Sequence, residues 1–309
     1  MLEVNRRKLN IMDFCKILGI NELPEALAEK VNRYDFTYEH VFPGEQCDVI
    51  TLKILKLLEN NTFAKTGDKE LWEKGWNENL EDIKTIKDLK CLIPKYTNRD
   101  SICRFDKKYI KTENPIFESQ LFDVMRHYIL MEYFNDCSNI FEFGCGSGQN
   151  IVAMTELYPE KQIHGLDWTQ ASVDIMNHIS EKYNSNIKGH LFDICSPNYN
   201  LEIPKDSGII TIGCLEQIHT DYKEFVDYLI MNRPKIVVHI EPILEFYDDT
   251  NLIDYLAIKY HKQKNYLEGY YTYLKQLELQ NEIKIIKTTD SIFGNIFNNP
   301  WSIIVWEII

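Results

Sequence analysis

Short apolar runs alternate with amphipathic stretches from about residue 138 to the end of the chain. The runs that read as strands are 139–143, 162–166, 188–192, 208–212, 235–240, 283–288 and 302–308. Strands that alternate with helices predict βαβ units and a mostly parallel sheet covered on both faces. Residues 290–301, which join the last two runs, show no helical period, so the last strand should run antiparallel at the sheet edge. We therefore predict an α/β fold, a doubly wound seven-stranded sheet that is mostly parallel with an antiparallel last strand.

The N-terminal part of the chain has a different pattern, with apolar residues at helical spacing. Helices are predicted over 9–20, 25–31 and 50–58, and a longer one over 117–134 leads into the sheet. We therefore divide the chain into a helical accessory or cap region, 1–112, and a sheet domain, 113–309. Trp72 and Trp76 lie four residues apart on one predicted helix face of the accessory region. Such a pair most often packs one region on another, and the alternative is that it lines a substrate pocket.

The chain is acidic: its 309 residues include 34 Lys and Arg against 47 Asp and Glu, a formal net charge of −13. An acidic surface repels phosphate backbones, so we expect no nucleic-acid partner unless a local basic patch provides one. The densest basic stretch contains Arg99, Arg104, Lys107 and Lys108. Such a run is usually a solvated face. The alternative is a site for an anionic substrate, in which Arg104 is the candidate contact.

The eight cysteines form no CxxC pair and no Cys/His cluster at zinc-site spacing. They fit reduced thiols in a cytoplasmic protein, and we expect no metal site. The chain also has no run of about 18 uncharged apolar residues, so no helix is expected to cross a membrane.

A glycine-rich turn follows the first predicted strand of the sheet domain. Gly144, Gly146 and Gly148 precede a predicted helix, whose first N–H groups have no partner within the helix. In open α/β sheets, ligands bind at such turns at the carboxyl ends of strands. A dinucleotide fingerprint would place the third glycine five positions after the first, whereas here it is four. Glu142, two residues before the first glycine, would repel a pyrophosphate and attract an ammonium group, which favours an amino-acid-bearing cofactor over NAD.

At these residues the sequence resembles the class I S-adenosylmethionine-dependent methyltransferases, whose first motif is an acidic residue followed by x-Gly-x-Gly-x-Gly. The resemblance implies that the glycine loop cradles the methionine part of S-adenosylmethionine, with the acidic residue near its ammonium group. It also implies a carboxylate on the ribose hydroxyls after the second strand, an Asp on the adenine after the third, and a cofactor contact after the fourth. The residues at these positions are Glu142, Gly144, Cys145, Gly146, Gly148, Asp167, Trp168, Asp193, Ile194 and Cys214.

Two of these positions also have a simpler interpretation. Asp167 could accept both ribose hydroxyls, with Trp168 covering one face of the adenine, or it could be a helix N-cap. Asp193, with the N–H of Ile194, could contact the adenine, or it could cap a loop. Because an acidic residue at the position of Asp167 is equally expected for NAD, it does not separate the two cofactors.

The activity implied by the resemblance is methyl transfer to a small polar metabolite by in-line displacement. A sugar, a phosphorylated intermediate or a surface-polysaccharide precursor is the kind of acceptor we expect. His219 and Glu241, after the fourth and fifth strands, are the catalytic candidates, and Tyr247 and Tyr270 are substrate candidates beside Arg104. Each also has a structural interpretation: a solvated loop His, a carboxylate held by local N–H groups, and tyrosines that pack a helix predicted over 251–280.

Alternatives from other classes stay open at this point. The same sheet could serve an NAD(P)-binding oxidoreductase, or a non-catalytic scaffold that retains a methyltransferase-like fold and binds a partner. Aminopropyl transfer from the same cofactor is disfavoured, because the loop after the fourth strand has no pair of Asp residues for a polyamine. By analogy with other helical caps, the N-terminal helices could also join two copies of the chain as a homodimer.

Overall fold

A computed structural model describes residues 6–42, 44–60, 66–86, 89–95, 101–183 and 185–309. The strands are β1 (Arg6–Lys8), β2 (Thr37–His40), β3 (Ile102–Phe105), β4 (Lys108–Lys111), β5 (Asn139–Phe143), β6 (Gln162–Asp167), β7 (Ile187–Leu191), β8 (Ser207–Ile212), β9 (Ile236–Glu241), β10 (Ile283–Thr289), β11 (Phe293–Gly294) and β12 (Ser302–Ile308). The α-helices are α1 (Ile11–Leu18), α2 (Glu25–Arg33), α3 (Glu45–Glu59), α4 (Lys69–Thr85), α5 (Phe117–Tyr133), α6 (Gln149–Leu157), α7 (Gln170–Tyr183), α8 (Lys223–Asn232), α9 (Leu252–Lys264) and α10 (Tyr270–Leu279). Short 3₁₀ helices lie at Leu89–Leu92, Leu215–Ile218 and Leu244–Phe246.

The larger sheet has seven strands in the order β10-β12-β9-β8-β5-β6-β7. Strands β5 to β9 are parallel to one another, and β12 pairs antiparallel with both β9 and β10. The predicted fold class is therefore confirmed, including the antiparallel last strand. The antiparallel strand is not the edge itself, however, because β10 folds back outside it. The order reverses at β5, which lies between β6 and β8, and this reversal opens a crevice at the carboxyl ends of the strands.

The central strands are apolar on both faces because helices cover both. In β5, Ile140, Phe141 and Phe143 are buried, and in β8, Ile209 and Ile210 are completely buried. Such continuous apolar runs are typical of parallel strands inside a three-layer structure. The rigid sheet therefore fixes the positions of the loops that follow each strand.

The accessory region is not only helical, which corrects the prediction for 1–112. Its strands form a five-stranded sheet in the order β1-β2-β4-β3-β11. Each has at most four residues, too few for a period of two to stand out in the sequence. The β3–β4 hairpin turns through Asp106 and Lys107, which both have positive φ and do not form one of the glycine pairs that signal such a turn.

The fifth strand of the accessory sheet comes from the far end of the chain. β11 lies in the loop between β10 and β12, and Phe293 pairs with Phe105 while Gly294 pairs with Arg104. The loop has no helix, as predicted, but it joins the two sheets. The boundary near residue 112 therefore stays a prediction, since a strand from the C-terminal part completes the accessory sheet.

The helix predicted over 251–280 is two helices, which corrects a second detail. α9 ends at Asn265, whose left-handed φ of 60° lets its N–H cap the last turn, and α10 begins after Gly269. Asparagine tolerates that conformation better than most residues, and Gly269 is the other sign of the break in the sequence. Among the described residues, no helix combines the length and the apolar character needed to span a bilayer.

Candidate active site

A cavity opens at the carboxyl ends of β5, β6, β7 and β8, where the order of the sheet reverses. It encloses about 800 Å³, counting the space at its mouth, which suits a ligand the size of a nucleoside cofactor. The residues that line it are Trp72, Trp76, Pro94, Gly144, Cys145, Gly146, Ser147, Gln149, Asn150, Asp167, Trp168, Phe192, Asp193, Ile194, Ile212, Gly213, Cys214, Gln217 and Ile218. Eight of the ten predicted cofactor residues are in this set.

The glycine loop takes a backbone path that side chains would block. Gly144, Gly146 and Gly148 all have positive φ, between 50° and 80°. A Cβ on Gly144 would overlap the side chain of Cys214, and one on Gly146 would lie 2.8 Å from the ring of Trp76. The bare backbone therefore lets Cys214 and Trp76 close over the loop, and it leaves main-chain atoms exposed to a ligand.

Asp167 ends β6 and borders the cavity. One of its oxygens accepts from the N–H of Gly146 at 2.9 Å, and the other accepts from the N–H and hydroxyl of Thr169 at 3.0 and 2.7 Å. Asp167 therefore ties the glycine loop to the start of α7, as the helix-cap interpretation suggested. A carboxylate has about four acceptor positions, so it can still accept from a ligand hydroxyl. Trp168 lies beside it in the cavity wall.

The predicted adenine contact, Asp193, also lies at the cavity. Asp193 follows β7, and one of its oxygens accepts from the N–H of Cys195 at 2.9 Å. Phe192 and Ile194 flank it in the same wall. One carboxylate oxygen therefore caps the loop, as the simpler interpretation suggested. The residue also lines the cavity.

Glu142 is placed differently from the expectation, although it is in the right loop. Its side chain is fully buried and does not line the cavity. One carboxylate oxygen accepts from the amide of Asn150 at 2.7 Å, and the other has no hydrogen-bond partner. Burial raises the pKa of Glu142 to about 8. Asn150, and not Glu142, forms the surface that a ligand would touch, so Asn150 separates the carboxyl group of Glu142 from the cavity.

The two predicted catalytic residues also lie outside the cavity lining. Glu241 is fully buried at the end of β9, and its carboxylate accepts from the N–H groups of Cys214 at 3.0 Å and Glu216 at 3.4 Å. Local N–H groups thus hold it, so it positions the loop after β8. His219 directly follows Ile218, and its Nδ1 bonds the carbonyl of Tyr266 at 3.0 Å. Because a carbonyl only accepts, Nδ1 carries a proton there.

The three predicted substrate residues are not brought to the cavity. Arg104 is 1% exposed and pairs with Asp254 at 2.6 Å. Tyr247 is held by the backbone of Asn299, and the hydroxyl of Tyr270 bonds His239 inside the core. The polar atoms of these three side chains are bonded to other protein groups, so we assign the side chains to stabilising the fold.

Two residues of the basic stretch, Arg104 and Lys107, are paired with acidic side chains. Lys107 pairs with Asp248 at 3.0 Å and lies 3.6 Å from Asp254, and Arg104 is paired as described above. Arg99 lies outside the described residues. Lys108 is exposed on β4, and the paired Arg104 and Lys107 offer no support for an anion site.

The accessory region covers the cavity with Trp72 and Trp76. Lining a pocket is the alternative to packing that the sequence allows for this pair. Trp72 and Trp76 stack with ring centroids 5.3 Å apart and line the cavity, as does Pro94. Between them, Glu73 accepts from the N–H groups of Gln170 at 2.8 Å and Ala171 at 3.0 Å. A carboxylate from α4 thus caps the amino end of α7 and holds the tryptophans over the glycine loop.

Nine further lining residues were not predicted, among them Gln149, Asn150, Gln217 and Ile218. Gln149 and Asn150 begin α6 directly after the glycine loop, so their position in the sequence was a usable signal. Gln217 and Ile218 belong to the 3₁₀ helix after β8, and nothing in the sequence distinguishes them. Among the described residues, no group of three or more His, Cys, Asp and Glu side chains is placed to hold a metal ion.

The buried carboxyls predict how stability depends on pH. Burial raises the pKa of Glu142 and Glu216 to about 8 and that of Glu241 to about 7. The folded chain therefore keeps protons that the unfolded chain has released, so the free energy of unfolding should fall as pH rises from 6.5 and should level off above about 8. His239 and His261, whose pKa values burial lowers to about 3, act only below this window.

Calorimetric unfolding of the ligand-free protein across this window is the measurement. Replacing both Glu142 and Glu241 by glutamine should make the fall less steep, and Glu216 should account for the part that remains. A stability that is level or rising in the unmodified protein would contradict the assignment.

No family model and no curated protein matches the sequence. Solved structures do match. One is a geranyl diphosphate C-methyltransferase from Streptomyces coelicolor A3(2), 9% identical, with a TM-score of 0.48 over 80% of this chain and 100% of that one. Another is an rRNA methylase from Escherichia coli, 10% identical, with a TM-score of 0.44 over 85% and 92%. A third is a magnesium protoporphyrin IX methyltransferase from Synechocystis PCC 6803 with bound SAM, 12% identical, with a TM-score of 0.44 over 63% and 81%.

Proposed function

We propose that this protein is an S-adenosylmethionine-dependent methyltransferase that acts on a small polar metabolite. One observation carries the proposal: the glycine loop, Asp167 and Asp193 follow three adjacent parallel strands and border a single cavity. A nucleoside with an amino-acid arm needs such a set, with bare backbone for the arm and separate carboxylates for the ribose and the base.

The residues at the cavity fit this cofactor. Asp167 would accept from the ribose hydroxyls, Asp193 would accept from the amino group of the adenine, and Trp168 and Phe192 would cover the ring. The methionine arm would lie along the glycine loop below Trp76. Asp167 would suit the ribose of a dinucleotide equally well, and Glu142 does not reach the cavity to repel a pyrophosphate, so a binding experiment has to separate the two cofactors.

The task of the chain in this reaction is alignment. The bound cofactor supplies an electrophilic methyl group on a positively charged sulfur. The stacked tryptophans would exclude water, and Glu241 would hold the loop of Gln217 and Ile218 against the acceptor. Positioning of this kind can contribute about 7–11 kcal/mol to lowering a barrier. A base is needed only for an acceptor that must lose a proton, and His219 is our proposed base for that case.

The acceptor should be small, because α4 and Pro94 cover the cavity. A sugar or another polyhydroxyl compound is the acceptor we favour. A phosphorylated acceptor has less support than the sequence gave it, since Arg104 and Lys107 are already paired with Asp residues. The absence of nucleic-acid partners, a cytoplasmic location and a homodimer through the N-terminal helices stay predictions.

Calorimetry with S-adenosylhomocysteine, NAD and NADP tests the cofactor. We expect S-adenosylhomocysteine to bind and the two dinucleotides not to bind. Tight binding of NAD or NADP without S-adenosylhomocysteine would replace the proposal by an oxidoreductase.

Transfer of a labelled methyl group from S-adenosylmethionine into a small-molecule cell extract tests the activity, with the Asp167→Ala protein as the control. Labelling that depends on Asp167 supports an enzyme. Binding without labelling in any fraction would favour the non-catalytic scaffold, and labelling of RNA or protein fractions would overturn the small-molecule acceptor.

A further inference from the structure

A chain of polar side chains runs behind the cavity wall, from helix α5 to the glycine loop. Arg126 on α5 is 6% exposed and donates to the side-chain oxygen of Asn150 at 2.9 Å. Asn150 in turn donates to Glu142 at 2.7 Å. The other end of the guanidinium donates to Asp123 at 2.7 Å, and Asp123 pairs with Lys30 of α2 at 2.7 Å. Of these residues, only Asn150 lines the cavity.

The chemistry of Arg126, Asn150 and Glu142 fixes which group donates and which accepts in each of these hydrogen bonds. A guanidinium only donates, so the oxygen of the Asn150 amide must face Arg126 and its nitrogen must face Glu142. An arginine in direct contact with Glu142 would cancel its charge. With an amide between them, the carboxylate is oriented but its charge is not neutralised.

Glu142 can still accept a further hydrogen bond. Its second oxygen is buried and has no hydrogen-bond partner, which is costly for an ionised carboxylate. A cation bound on the far side of Asn150 would compensate for that cost through the low-polarity interior. The ionisation of Glu142 should therefore depend on the charge of the ligand in the cavity.

We propose that Arg126 and Asn150 are positioning residues that prepare Glu142 to ionise when the ammonium group of the cofactor binds, so that binding releases a proton. The inference rests on the proposed function. The Glu142 carboxyl loses its proton to solvent, and the resulting carboxylate, which lies behind Asn150, balances the charge of the bound ammonium, so charge and protons balance.

The surroundings of Glu142 set the pH at which this happens. Burial raises the pKa of Glu142 to about 8, Asp167 on β6 raises it further, and Arg126 and the Asn150 hydrogen bond lower it. Burial also raises the pKa values of the nearby Cys145 and Cys214 thiols well above the usual value for cysteine, so both thiols stay neutral. At pH 7 the carboxyl of the ligand-free protein is mostly protonated.

Calorimetric titration with S-adenosylhomocysteine from pH 6 to 8.5, in buffers of different ionisation enthalpy, tests the proposal. Affinity should rise up to about tenfold per pH unit and level off near pH 8, because one ionisation must precede binding. The number of protons released should approach one at low pH. Glu142→Gln should abolish both the slope and the released proton, and Glu160→Gln, an exposed control, should change neither.

The two positioning residues are tested by the shift of the same profile. Arg126→Met and Asn150→Leu should each move the levelling point to higher pH and weaken binding at pH 7 by about tenfold, the effect of one unit in the pKa of Glu142. Arg126→Met also breaks the pair with Asp123. Asn150→Leu leaves that pair intact and so decides the matter if the first variant does not fold.

The outcomes separate this inference from the proposed function. No binding of S-adenosylhomocysteine by the unmodified protein at any pH would overturn the proposed function. Binding with a flat pH profile and no proton release would overturn only the inference. Weaker binding by Arg126→Met and Asn150→Leu with an unshifted profile would also overturn it, because a merely structural role predicts that result.

Discussion

Replacing Asp167 by alanine should weaken the binding of S-adenosylhomocysteine by about 10²–10³-fold. The carboxylate would lose its bonds to the ribose hydroxyls, and a hydrogen bond to a charged group contributes about 1.5–3 kcal/mol. The variant also loses the bond from the N–H of Gly146, which positions the glycine loop. Calorimetric titration at pH 7.5 measures the affinity, and circular dichroism confirms that the variant is folded.

Asp174→Asn is the matched control for this variant. Asp174 is an exposed carboxylate on α7, the helix that follows Asp167. Its replacement should leave the affinity unchanged. If Asp167→Ala folds and binds as tightly as the unmodified protein, Asp167 is only a turn residue, and the assignment of the ribose to β6 is wrong.

Replacing Arg104 by methionine should lower the free energy of unfolding by about 3–5 kcal/mol. The change leaves Asp254, which is 3% exposed, as a buried charge without its main partner. Urea unfolding at pH 7 is the measurement. The double variant Arg104→Met, Asp254→Leu should recover much of the loss, because removing both charges removes the unpaired one.

Lys107→Met is the control for the buried pair. Lys107 pairs with Asp248 at 3.0 Å, but both side chains are more than 40% exposed, so the cost should be below about 1 kcal/mol. Equal losses for Arg104→Met and Lys107→Met would contradict the structural role of Arg104. An unchanged stability with a raised KM for the acceptor would restore Arg104 as a substrate residue.

The fold was predictable where the chain repeats one pattern many times. Seven apolar runs with helices between them predict a parallel sheet, because only strands covered on both faces are apolar throughout. The four-residue strands of the accessory sheet have no such repetition. They pair across long distances in the sequence, as β11 does with β3, and no local signal reports that.

The cofactor side of the site was predictable for a related reason. Gly144 and Gly146 stand where the backbone must bend and be approached closely, and that requirement is visible in the sequence. The acceptor side was not, because its residues are ordinary ones brought together by the fold. Glu241 and Tyr270 illustrate the difficulty: their residue types suit chemistry, yet both are buried and bonded to their neighbours.

The strand contributed by Phe293 and Gly294 also has a consequence during synthesis on the ribosome. Until these residues emerge, β3 has β4 on one side and an open edge on the other. Open strand edges recruit other chains, so the nascent protein should be more prone to aggregation until Phe293 and Gly294 have emerged and paired with β3.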